Sequence, residues 1–94
     1  MRAPPHLEAL IVELLRGRKG SICPSEVARA VEPAGDWRGR MQAVRDAARV
    51  LALQDTIEVL QRGRRLDPHG AWRGALRLAR GPRFDAHRSG VEDM

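Results

Sequence analysis

Arg38, Gln42, Arg45 and Arg49 recur at i, i+4, i+7 and i+11, a spacing that lines them along one side of an α-helix at ~100° per residue. Arginine and glutamine can read guanine and adenine edges bidentately, so this stripe has the chemistry of a surface that enters the major groove of DNA. Further along, Arg62, Arg64 and Arg65 surround Gly63, and guanidinium groups at a hairpin tip suit phosphate oxygens rather than base edges. The same seven side chains also fit a merely solvated face, or a cationic surface that meets an acidic protein.

Charge is unevenly distributed along the 94 residues. Residues 1–36 carry five basic and five acidic groups, residues 37–80 carry ten against four, and residues 81–94 carry two against three, giving +5 in total. Sixteen arginines against one lysine, with no tyrosine, is also what a GC-rich coding sequence produces; that source accounts for the total better than for the segregation. A basic central segment favours an anionic partner.

Residues that carry other chemistries are sparse. His6, His69 and His87 stand alone, and with Cys23 they show none of the close pair spacings of a zinc site. Gly17-Arg18-Lys19-Gly20-Ser21 lacks the spacer and the Gly-Lys-Ser/Thr ending of a phosphate loop and follows a helical pattern rather than a strand. Cys23 has no nearby His or Asp in sequence and reads as a small half-buried residue; Ser25 has no nucleophile elbow and reads as a helix cap. Paired carboxylates and triads are lacking, so neither an enzyme nor a cofactor is expected.

These side chains need elements to hold them. Leu7, Leu10, Ile11, Leu14 and Leu15 repeat with helical period between Pro5 and Gly17 and predict a first helix. Pro24 at a first helical turn, Glu26 behind it and the inward Val27, Ala28 and Val31 predict a second, ended by Pro33 and Gly35. Asp36 as N-cap begins a third, to about Gln54, whose apolar stripe is Trp37, Met41, Val44, Ala48 and Leu51. The period then alternates over Thr56–Gln61, Gly63 provides a tight turn, Arg65–Asp67 returns, and Ala75–Arg80 alternates again as a further strand. Three helices followed by a small antiparallel hairpin or sheet is an α+β class, the order of a winged helix-turn-helix domain. Trp72, in the loop Gly70–Gly74, is open between packing on the core and contacting a partner.

The run Ile22-Cys23-Pro24-Ser25-Glu26-Val27-Ala28-Arg29-Ala30, with Trp37-Arg38, Met41-Gln42-Ala43-Val44-Arg45, Ala48 and Leu51, resembles the signature of a family of short bacterial proteins known as a domain of unknown function. Gln61-Arg62-Gly63 and Asp67-Pro68 are similar to its hairpin region, so the likeness spans roughly residues 7–80. It implies a winged-helix fold and brings no functional residues with it. Ala75 departs from the pattern, where a proline usually follows the glycine.

The expected organisation is therefore one domain over residues 1–80 and a disordered tail over 81–94, which opens with Gly-Pro and has almost no apolar pattern. The single cysteine and the want of a long apolar run favour a reducing, cytoplasmic setting without membrane contact. Double-stranded DNA is the first candidate partner and an acidic protein surface the second, with Trp72 or Leu60 as apolar anchor. Dimerisation is expected if paired DNA half-sites are read.

Overall fold

A computed structural model describes residues 5–86. In chain order it contains α1 (Pro5–Arg16), α2 (Pro24–Val31), a 3-10 turn (Trp37–Arg40), α3 (Met41–Leu53), β1 (Ile57–Gln61), β2 (Arg64–Arg65), β3 (Arg77–Arg80) and a closing 3-10 turn (Phe84–Ala86). Three helices and a three-stranded antiparallel sheet of order β2-β1-β3 make this an α+β fold with the arrangement of a winged helix.

The core follows the apolar periodicity. Leu7, Ile11, Val12 and Leu15 of α1, Val27 and Ala28 of α2 and Val44, Ala47, Ala48, Leu51 and Ala52 of α3 are buried against Ile57 and Val59 of β1 and Leu78 of β3. Trp37 and Met41, placed on the same stripe by their spacing, are only half-buried. Ile22 joins the sheet by bridging to Leu78, with both backbone bonds at 2.8 Å, and so ties the α1–α2 connection to β3. None of the described helices is long and apolar enough to cross a membrane.

Local chemistry explains each boundary. Cys23, not Ser25, is the N-cap of α2, with Pro24 behind it. The Glu26 carboxylate accepts from the Cys23 N–H at 3.0 Å, and the Ser25 hydroxyl donates to Cys23 Sγ at 3.0 Å. Asp36 caps as its type requires, accepting from Gly39 N–H at 3.1 Å, but the turn it starts is 3-10 rather than α. A Cβ on Gly39 would lie 2.6 Å from Asp36 Oδ2, so the missing side chain is what admits this tight cap. The α-helix therefore begins at Met41 rather than at Trp37, directly after the Asp36 cap.

α3 ends in a Schellman arrangement: Thr56 N–H donates to Leu51 C=O and Asp55 N–H to Ala52 C=O, both at 3.0 Å, with Asp55 left-handed at φ 63°. This turns the chain into β1. At the other end of β1, Arg62 (φ 54°) and Gly63 (φ 80°) form a two-residue turn with the positive φ pair of type I′, and Leu60 pairs with Arg65 and Gln61 with Arg64.

The segment from Gly81 does not leave the domain. Gly81 N–H donates to Thr56 C=O at 2.9 Å, Arg83 N–H to Asp55 C=O at 2.9 Å, and Phe84 is buried in the core. The expected tail thus starts too early, because a lone aromatic carries no periodicity for a sequence pattern to detect; residues 87–94 lie outside the described residues.

Candidate nucleic-acid interface

The stretch between β1 and β3 forms a wing. Its tip is the Arg62-Gly63 turn, and its longer part, residues 66–76, lies back over α3. Two arginines of α3 hold it there. Arg45 donates from Nη1 to Trp72 C=O at 3.1 Å and from Nη2 to Gly74 C=O at 2.8 Å. Arg49 donates from Nη1 to the carbonyls of Pro68 and Gly70, the latter at 2.8 Å, and stacks 4.2 Å from the centre of the Trp72 ring. The Trp72 indole N–H in turn donates to Asp67 C=O at 3.0 Å. Trp72 is therefore half-buried and engaged on ring and nitrogen alike.

That arrangement redistributes the seven candidate residues. Arg45 and Arg49 face the wing rather than open solvent. Gln42 is exposed but donates to Asp46 Oδ1 at 2.9 Å, a carboxylate on the same helix. Arg38 lies in the 3-10 turn, where the helical period is broken, and its guanidinium stacks 4.4 Å from the Trp37 ring. Arg29 covers the same indole, also at 4.4 Å. The four residues of the expected stripe do not form one free cationic face.

The hairpin residues fare differently. Arg65 lies 3.9 Å from both Asp55 and Glu58, two loose pairs that offset part of its charge. Arg62 and Arg64 are exposed at the tip and have no carboxylate, carbonyl or aromatic partner among the described residues.

The remaining arginines of residues 37–80 sort by the same criterion. Arg77 donates to the carbonyl and hydroxyl of Ser21 at 2.8 and 2.9 Å. Arg80 caps the end of α1 by donating to the carbonyls of Leu15, Arg16 and Arg18 at 2.8–3.1 Å and lies 5.0 Å from the Phe84 ring. Arg40 pairs with Glu32 at 3.5 Å. Arg73, exposed in the wing, has no such partner among the described residues, and nothing in its sequence setting marks it out. Within residues 37–80, unengaged positive charge is thus concentrated at Arg62, Arg64 and Arg73, all in the wing; Lys19 and Arg83 are exposed elsewhere on the surface.

Glu26 is the titratable group whose environment is most clearly biased. Its carboxyl is held below the usual range chiefly by the Cys23 N–H; burial opposes this, and Arg18 at 2.6 Å adds to the lowering. It is a helix-capping group, remote in sequence from the wing.

Fold and site together define a winged-helix type of domain that gathers three free arginines on its wing and whose third helix is bonded to that wing through Arg45 and Arg49. The chain belongs to the family described as "Protein of unknown function (DUF3253)", whose model matches residues 4–81. No curated protein matches its sequence.

Proposed function

We propose that this protein binds the phosphate backbone of double-stranded DNA through its wing, with Arg62 and Arg64 as the principal contacts and Arg65 in support. The observation that carries this is the contrast between arginines engaged inside the fold and those left free at the hairpin tip. Backbone contacts position a duplex without reading its sequence. With Arg45 and Arg49 bonded to wing carbonyls and Gln42 to Asp46, base readout by α3 is weak, so binding is governed by charge.

An apolar protein anchor has less in its favour: Trp72 is consumed by Arg49 and Asp67, and Leu53, 46% exposed, is the one exposed large hydrophobic among the described residues.

The test is fluorescence anisotropy against labelled duplexes of unrelated sequence. About three neutralised phosphates give a log–log salt slope near −2.7, hence roughly twentyfold weaker binding at about 150 than at about 50 mM salt. No binding at the lower salt, or affinity insensitive to salt, would refute it.

A further inference from the structure

A groove of about 540 Å³ opens between the end of β1 and the wing, lined by Leu60, Gln61, Arg62, Arg73, Ala75 and Leu76 among others. That volume is in the range of small-ligand pockets, roughly 300–1,000 Å³. Its wall is held in place. Gln61 Nε2 donates to the carbonyls of Arg73 and Ala75, the latter at 3.4 Å, and Arg45 takes the carbonyl of Gly74 between them at 2.8 Å. Three successive carbonyl oxygens that could attract cations are thereby occupied, and no acidic residue lines the groove. Its cations are Arg62, Arg73 and Arg77; Arg77 is tied to Ser21, whereas Arg62 and Arg73 come from different segments and have no anionic partner among the described residues. Leu60, Ala75 and Leu76 supply an apolar floor that a bare phosphate does not use.

We propose that this groove binds a free phosphomonoester of mononucleotide size, with the phosphate between Arg62 and Arg73 and the less polar body over Leu60, Ala75 and Leu76. Two guanidinium groups match a phosphomonoester, which carries −1.5 to −2 charges at neutral pH, better than a singly charged carboxylate. The site shares Arg62 with the duplex contact but takes a different ligand.

Titration of the 15N-labelled full chain with adenosine 5′-monophosphate, followed by amide NMR, tests this directly. Saturable shifts centred on Gln61, Gly74 and Ala75 are expected, with inorganic phosphate and adenosine each binding at least about tenfold more weakly. Arg73→Glu and Arg62→Glu should each weaken binding by about tenfold or more, and Arg83→Glu, a similar charge change outside the groove, should not. Retained amide dispersion establishes that the variants fold. An unchanged spectrum, equal binding of phosphate alone, or shifts spread over the whole basic surface would overturn the assignment. Duplex anisotropy on the same samples separates the two claims: duplex binding without nucleotide shifts sinks the groove alone, and nucleotide shifts without duplex binding sink the duplex contact alone.

Discussion

Replacing Arg49 by alanine should destabilise the domain by about 2 kcal/mol while leaving it folded. The side chain makes two charge-assisted bonds to carbonyls, each worth roughly 1.5–3 kcal/mol when desolvated, and a cation–π stack worth roughly 0.5–1 kcal/mol at a half-exposed indole. The wing lies at the surface, so the released carbonyls of Pro68 and Gly70 regain water; each bond then counts for only ~0.5–1 kcal/mol net, and with the stack the loss comes to about 2 kcal/mol. For a domain of this size, about 2 kcal/mol corresponds to a Tm lowered by roughly 8–16 °C. Urea denaturation by circular dichroism gives the stability change, and Trp72 emission in a Trp37→Phe background reports whether the wing has lifted. The expected result is a lower midpoint together with a red-shifted Trp72. Arg49→Lys should recover less than half of the loss, because an ammonium cannot both span two carbonyls and stack on the ring as a flat guanidinium does. A loss below about 0.5 kcal/mol with unaltered Trp72 emission would refute the view that this arginine fastens the wing.

Two other perturbations probe the fold from opposite ends. Gly81→Ala should cost about 1–3 kcal/mol in the same denaturation assay, since its Cβ would lie 2.6 Å from Asp55 O and 2.9 Å from the backbone of Ile57; a neutral effect would show that the closing segment is not docked as described. Glu26 predicts an acid dependence of known sign: its folded pKa lies below the ordinary 4.5, so its stabilisation is present above that value and is lost as pH falls through the folded pKa. The stability gap between the parent chain and Glu26→Gln should therefore shrink from about pH 6 to about pH 3, and a constant gap would contradict the capping role.

Helices α1 and α2, the hairpin turn and the alternation of β1 were legible because each depends on neighbours within a few residues: apolar period, Pro24 at a first turn, Gly63 between two strands. The break at Gly39 was not, because Asp36 and Gly39 fit an α-helical N-cap as well as a 3-10 turn until the close approach of the carboxylate decides. Phe84 escaped for the reason that a single buried side chain has no period. The candidate site was legible in composition and not in allocation. Spacing showed that Arg38, Gln42, Arg45 and Arg49 could share a face, but whether a guanidinium meets solvent or a carbonyl is settled by chain 19 to 29 residues away, as Arg49–Pro68 and Arg45–Gly74 show. The same long-range bonds assign Arg77 and Arg80 to structure and leave Arg73, which no pattern singled out, exposed beside the wing groove.

The most direct measurement is duplex anisotropy across a salt series for two variants beside the parent chain. Arg62→Ala/Arg64→Ala should reduce the salt slope by about 2 and remove most low-salt binding, whereas Arg45→Ala should leave affinity within about twofold. The opposite outcome, binding lost with Arg45 and kept without Arg62 and Arg64, would place the contact on the third helix and contradict a wing-borne backbone interface.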